Sequence, residues 1–388
     1  MFKAMMRLAL CGAFAIPAWQ MAAADNLTDA TKEMLESLKI GPEVMNGLDA
    51  ELAVPQEWLD KAKAEGAVSV RLTMDESHFV QLQKLFETRY PGVKIEYARG
   101  LGAGRAVQPL MAFKRGTYLA DIISSFETLV TDFEEVDALV TLKGTLPAYD
   151  GARAEFTSPN GNGAPWRLTP YCMSYNKNKV KVEELPKTWD DLVNDPRWQN
   201  QNVGMARNFN TWIPHLTIFY GKEWGDKFID KIFTQLKPQY RKENLGMLPK
   251  LTSLGEFDLS VPSGDGQVAQ WEKEGAPVGY YCPDVVPFQA SWVGILKGNP
   301  HPYASLLFTN WLLSREGQLA VWWADFATNS HKDLQAFMFY PDQVKGKKIA
   351  PLNHEALALM PEIAAVWAKR WEESGGPAEE SGGGGGGN

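Results

Sequence analysis

The period of the apolar positions changes along the chain, and each change marks an element. Residues 28–50 set apolar side chains at helical spacing among charges, broken at Gly41-Pro42 and Gly47, which predicts a short helical extension. Pro55 opens a helix from Gln56 to Glu65 that Gly66 closes, proline at the start and glycine at the end. Strand and helix patterns then alternate. Val68 to Met74 is β-branched and apolar, and Ser77 to Tyr90 puts Phe79, Leu82, Leu85 and Phe86 on one helical face before Pro91-Gly92. Val93 to Ala98 predicts a second strand, and Gly100 to Gly104 leads into a helix starting at Arg105. Ala120 to Ser125 predicts a third strand, followed by a helix from Glu127 to Val136. Such alternation predicts βαβ units and a parallel sheet. Ligands of such sheets gather beyond the carboxyl ends of the strands, here Thr73 to Ser77, Arg99 to Arg105 and Ser124 to Phe126.

The second half is patterned differently. Trp166 to Asn176, Val203 to Ala206, Phe257 to Val261, Val278 to Cys282 and Ser291 to Lys297 read as strands. Thr188, with Asp191 three residues on, predicts a capped helix start. Further helices are expected over 211–220, 224–236, 302–313, 315–324 and 354–373.

Composition alters the picture at both ends. Lys3 and Arg7, an apolar run from Leu8 to Trp19 and Ala22-Ala23-Ala24 have the order of a secretory leader cleaved near Ala24. The run is too short for a bilayer span, which takes about 20 residues. Leu10 before Cys11 argues against lipidation, because lipoproteins carry a small residue there. The chain from Gly375 through the final glycines has no apolar face and is expected to be a disordered tail. What remains, roughly 350 residues, exceeds what one core serves and implies two lobes. A net charge of −8 with interspersed signs offers no basic stripe for nucleic acid. The 14 Trp suit either aromatic walls for a ligand or a heavy core. Cys172 and Cys282, the cysteines left after cleavage, have no zinc spacing; in an oxidising compartment they can pair or stay free, and the pair is the disulfide candidate.

Candidate chemistry clusters at the strand ends. Gly100-Leu-Gly-Ala-Gly104 does not match the spacing of a dinucleotide fingerprint, but it follows a strand and opens a helix, so Gly102 and Arg105 are candidate contacts for an anionic group. Thr73, Asp75 and His78 lie just past the first strand, where a His with carboxylates would suit a hard metal in part. No Gly-x-Ser-x-Gly or His-Glu-x-x-His occurs, and catalysis is not expected.

Four segments carry a family resemblance. They are Pro55-Gln-Glu-Trp leading through Ala64-Glu-Gly to Val68; Ala120-Asp-Ile-Ile-Ser-Ser125; Met173-Ser-Tyr-Asn-Lys177 with Leu185-Pro-Lys-Thr-Trp-Asp-Asp-Leu192 and Asp195-Pro-Arg-Trp198; and Val293-Gly-Ile-Leu-Lys-Gly-Asn-Pro-His-Pro302 with Trp311-Leu-Leu-Ser-Arg-Glu-Gly-Gln318. Residues 55–325 resemble an extracellular solute-binding protein of the type II periplasmic-binding fold, in the branch with ferric-iron, polyamine and thiamine binders.

The resemblance implies an α/β chain of two lobes, each a mainly parallel sheet flanked by helices, with the ligand cleft between them. The expected division is a leader at 1–24, the extension at 25–54, lobe one at 55–167, lobe two at 168–287, the return of lobe one with C-terminal helices at 288–374, and the tail at 375–388. The crossings should lie near Leu168–Tyr175 and Pro287–Val293. In the site, the resemblance makes Ser124, Ser125 and Phe126 the floor of lobe one. Asn208, Thr211 and Trp212 become the facing helix start, Asp265 the next loop across, and Trp166, Tyr171 and Tyr280 the walls near the crossings. The implied role is that of a monomeric periplasmic subunit of an ABC importer, without a cofactor, that captures a small polar solute by hinge closure and delivers it to a permease–ATPase complex. Alternatives on the same fold are a ferric-iron carrier, a ligand sensor or a secreted enzyme. A ferric site of the familiar kind would need a tyrosine pair where this chain has Ser263-Gly-Asp-Gly266, and Tyr280-Tyr281 on a strand face opposite ways.

Overall fold

The computed structural model describes residues 27–102, 104–352 and 354–377. The expected leader and most of the expected glycine-rich tail lie outside the described residues. Ten strands occur among those described: β1 (Ala67–Arg71), β2 (Lys94–Tyr97), β3 (Ile122–Ser124), β4 (Ala164–Asn176) and β5 (Val203–Ala206), then β6 (Gln239–Arg241), β7 (Leu259–Gly264), β8 (Val278–Tyr281), β9 (Val285–Ile295) and β10 (Lys348–Pro351). They run in the order β2-β1-β3-β9-β4-β7-β5-β6, with β8 against β4 and β10 against β9.

Each end of this order is parallel: β2, β1 and β3 in the first lobe, β7, β5 and β6 in the second. The centre is antiparallel, because β4 and β9 pair from Ala164↔Val293 to Pro170↔Phe288. These two long strands belong to both lobes. Beyond Pro170, β4 leaves β9 and pairs with β7 and β8; at its far end β9 pairs with β3. They are the two crossings, and the cleft lies over them. The centre is therefore less parallel than the β–α alternation suggests, since a strand that crosses between lobes and returns must run against its partner.

Local sequence accounts for most boundaries. Asp75 accepts a hydrogen bond from the Ser77 backbone N–H and caps helix Glu76–Arg89, and Thr188 and Asp191 form the reciprocal capping box of helix Trp189–Asn194. Elsewhere tertiary pairing overrides local signals. The strand expected at 291–297 runs from Val285 to Ile295, because partners on both sides hold Pro287 and Gln289 in extended backbone. The helix expected at 127–136 divides into a 3₁₀ turn, Glu127–Leu129, and helix Val130–Glu135. Helix Asp265–Lys273 begins on Asp-Gly, and its start was not legible as one.

The first lobe packs Val68, Val70 and Leu72 against Phe79, Leu82 and Phe86, with Phe308 and Trp311 from helix Pro302–Leu313 behind them. The N-terminal extension closes this core with Met34, Leu35, Met45 and Leu48. The second lobe is built on Trp189, Trp198, Trp212 and Phe228. The C-terminal helix, His354–Glu373, adds Ile363, Trp367 and Trp371 to that second core and packs on helix Ile213–Tyr220. It does not join the return of lobe one, because its apolar face finds its partner in lobe two. The tryptophans are mostly structural: Trp166, Trp189, Trp198, Trp212, Trp292, Trp311, Trp367 and Trp371 are fully buried. Among the described residues, no helix is long and apolar enough to cross a membrane.

A seam of Phe126, Cys172, Tyr280, Cys282, Phe288 and Trp292 fills the back of the crossings. Cys172 of β4 is bonded to Cys282, just past β8, with Cα atoms 5.0 Å apart.

Candidate functional site

Side chains alternate across a strand, and on β4 that alternation builds the floor of the cleft. Trp166, Leu168 and Pro170 point into buried packing; Arg167, Thr169 and Tyr171 are partly exposed on the opposite face. On β9, Gln289 and Ser291 are partly exposed between the buried Phe288, Ala290 and Trp292. Two adjoining recesses lie over this floor, of about 90 and 110 Å³, and share Thr73, Arg167, Thr169 and Tyr171. A larger hollow of about 570 Å³ lies beside β6, lined by residues such as Lys237, Tyr240 and Ser374. It draws nothing from the crossings or from the first lobe, and the recesses between the lobes are the better candidate.

The first recess adds Asp75, His78, Asp265, Gly266, Gln267, Gln270, Asp325, Phe326 and Ala327 to the shared floor. Arg167 donates to Asp325 Oδ2 at 2.7 Å and to Thr73 Oγ1 at 2.8 Å, and His78 Nδ1 stands 3.2 Å from Asp325 Oδ1. Arg99 donates to Asp75 Oδ2 at 2.8 Å. The hydrogen bond that His78 gives to Asp325 raises the pKa of His78, and hydrogen bonds from Ser77 lower that of Asp75. Asp265 is buried and accepts from the Thr328 hydroxyl; desolvation pushes its carboxyl up to about 7. At Gly266 the backbone passes so close to Phe326 that a Cβ would stand 1.6 Å from its carbonyl oxygen, so only glycine fits.

The second recess adds Gly100, Leu101, Arg105, Ser125, Asn208, Asn210, Thr211, Leu245, Gln289 and Ser291. Arg105 donates to the Ser125 carbonyl at 3.0 Å and to the Gly102 carbonyl at 3.3 Å. Ser125 holds a left-handed backbone, φ 56°, at the end of β3, and its N–H donates to the Trp292 carbonyl at 2.8 Å. Such a conformation costs a non-glycine residue about 1–2 kcal/mol. Here it turns the Ser125 carbonyl to Arg105 and leaves the hydroxyl 3.4 Å from that of Thr73. Strain of this kind concentrates at functional sites.

Of the residues singled out in the sequence, Thr73, Asp75, His78, Arg105, Ser125, Tyr171, Asn208, Thr211 and Asp265 come together around the two recesses. The others do not line them. Gly102 supplies a carbonyl to Arg105 from behind the rim. Ser124 is buried one residue short of the turn. Phe126 packs edge-on against Phe133 and Trp292. Trp166 lies on the face of β4 opposite Tyr171, in the first core. Trp212 stacks among Trp189, Phe228 and Trp367. Tyr280 lies behind the crossing and donates to the Pro170 carbonyl at 2.7 Å. For Phe126, Trp166, Trp212 and Tyr280, apolar burial outweighs exposure of a large ring to a polar cleft. No Trp is among the lining residues; Tyr171 and Phe326 supply the rings there, among hydroxyls, amides and ions.

Arg167, Thr169, Gln289, Ser291 and Asp325 were missed. The alternation of Arg167, Thr169 and Tyr171 carried the signal for β4, but Asp325 is joined to the site only by the packing of helix Arg315–Asp325.

Comparison with known proteins agrees with this architecture. Its fold is similar to that of AfuA from Actinobacillus pleuropneumoniae with fructose-6-phosphate bound (TM-score 0.62, 19% identity, covering 80% of this chain and 99% of that one). It is also similar to iron-bound HitA from Pseudomonas aeruginosa (TM-score 0.59, 18% identity, 69% and 87% covered) and to the spermidine/putrescine ABC transporter substrate-binding protein PotD from Streptococcus pneumoniae (TM-score 0.60, 15% identity, 80% and 98% covered). At these identities the likeness speaks for the type II periplasmic-binding fold alone. An uncharacterized protein of Haemophilus influenzae is 28% identical over 177 residues, 43% of this chain and half the length of that relative. Residues 81–350, which take in both crossings and the lining from Gly100 to Ala327 but not Thr73, Asp75 and His78, match the family described as bacterial extracellular solute-binding protein, and the chain belongs to that family.

Proposed function

We infer that this chain is the solute-capturing subunit of an ABC importer and works in the periplasm. The observation that carries this reading is the placement of the cleft. Its floor is formed by the two strands shared between the lobes, and its walls come from Thr73, Arg105 and Ser125 on one lobe and Asn208, Thr211 and Asp265 on the other. A solute touching both walls binds a closed arrangement better than an open one and so shifts the lobes together. The closed form is what a permease–ATPase complex receives. The lining has hydroxyls, amides and charged groups and is more polar than apolar, which suits a small polar solute. No bond needs to be made or broken for this work.

A thermal-shift screen of polar metabolites tests the reading. At least one compound is expected to raise the melting temperature, and Thr73→Val with Asn208→Ala should abolish that rise with little change in the melting temperature of the free protein. A screen with no stabilising compound, or with stabilisation untouched by both substitutions, contradicts it.

A further inference from the structure

Two ionisable groups in the cleft, Arg105 and Asp265, form no ion pair among the described residues. Arg105, at the start of helix Gly104–Lys114 in the first lobe, gives its hydrogen bonds to the carbonyls of Ser125 and Gly102; the buried Glu127 acts on it electrostatically from outside the recess, and among the described residues no carboxylate forms an ion pair with it. Asp265, at the start of helix Asp265–Lys273 in the second lobe, is buried and takes hydrogen bonds from the Thr328 hydroxyl and from backbone N–H groups; among the described residues no cation pairs with it. The other ionic groups are already matched, Asp75 with Arg99 and Asp325 with Arg167 and His78. The recess containing Arg105 has no acidic residue in its lining, and the two recesses meet at Thr73, Arg167, Thr169 and Tyr171.

Withdrawing an unmatched charge from water is costly, most of all for a buried carboxylate. A ligand of opposite polarity at each position offsets both costs, and it does so only when the two lobes hold the same molecule. We propose that the cleft takes a solute with an oxyanion, carboxylate or phosphate, at one end and a protonated amine at the other. The oxyanion is held by Arg105 with the Ser125 hydroxyl and the Asn208 and Asn210 amides, and the amine by Asp265. This assignment rests on the solute-receptor reading above and names the chemistry of the solute.

The test is calorimetric titration of the purified protein at pH 8 with two zwitterions, phosphoethanolamine and 4-aminobutanoate, and with the half-molecules inorganic phosphate, butyrate and ethanolamine. The two zwitterions separate phosphate from carboxylate recognition. At least one zwitterion is expected to bind at least about tenfold more tightly than either of its halves, since each charge-assisted contact contributes about 1.5–3 kcal/mol. Arg105→Gln and Asp265→Asn should each weaken that zwitterion by at least about tenfold, with Arg105→Gln affecting the anionic half and leaving ethanolamine unchanged. Failure of both zwitterions to bind, a half-molecule binding as tightly as the whole, or variants binding like the wild type would overturn the assignment. Tight binding of spermidine or a neutral sugar, indifferent to Arg105→Gln, would also overturn it while leaving the solute-receptor reading in place.

Discussion

Arg167 and Asp325 meet at 2.7 Å across the floor of the cleft, and the second terminal nitrogen of Arg167 reaches Thr73 at 2.8 Å. One guanidinium on a crossing strand thus fixes the end of helix Arg315–Asp325 and the loop after β1. Lysine cannot reproduce this, because its single ammonium does not span two partners as a planar guanidinium does. Arg167→Lys is expected to weaken solute binding about tenfold or more while the protein stays folded. Calorimetric titration with the stabilising solute checks this, and unchanged affinity would show that the floor contact does not position the site.

The Cys172–Cys282 bond ties β4 to the end of β8 and closes a separation of 110 residues. Closing a loop of that length stabilises by about 4–5 kcal/mol in the chain-entropy view, often less in practice. The Cys172→Ser, Cys282→Ser double variant is expected to lose about 2–4 kcal/mol in denaturant titrations. Equal midpoints for the two proteins would contradict a stabilising role.

The extension is locked to the first lobe by Glu51. It accepts from Arg315 at 2.7 and 2.9 Å and lies 3.1 Å from His331 Nε2, and these partners outweigh burial and lower its carboxyl to about 2. The folded value lies below the ordinary carboxylate range, so the stabilisation is full above about pH 4.5 and is lost as pH falls toward 2. Glu51→Gln is expected to cost about 2–3 kcal/mol near neutrality and to flatten the acid limb of the stability curve. Retention of that limb in the variant would assign it to other carboxylates.

Asp265 has the opposite sign. Its folded pKa, about 7, exceeds the ordinary 3.8, so the folded state holds the extra proton and the stability of the unliganded protein falls as pH rises from about 4 to 7. Tyr171 and Tyr280 face it and stay neutral in this range, because burial pushes both phenols upward. Glu127, also raised to about 7 by burial, contributes in the same window. Asp265→Asn is therefore expected to remove about half of this fall, as read from melting temperatures between pH 4 and 8. An unchanged slope would mean that Asp265 is not protonated in the free protein.

Much of the fold could be read from the chain because local and global signals agreed. The helix after β1 has its Asp75 cap and a clean apolar face, and the helix at Thr188 has its capping box. The cleft was readable where it lies at strand ends, as at Thr73, Arg105 and Ser125. It was misread where large rings attract attention. Trp166 and Tyr171 differ in strand parity and so lie on opposite faces, and Trp212 serves a tryptophan cluster that also depends on Trp367, 155 positions away in the C-terminal helix. Asp325 and the placement of that helix in lobe two depend on tertiary packing with no local trace.

In the cell the cleft is proposed to carry a solute. Native mass spectrometry of the protein recovered from cells, compared with its denatured mass, measures whether it does. An excess mass of a small organic molecule is expected, lost on denaturation and absent from Arg105→Gln. An excess equal to iron, or one that Arg105→Gln retains in full, would contradict the site described here. No excess from any growth condition would contradict solute capture itself.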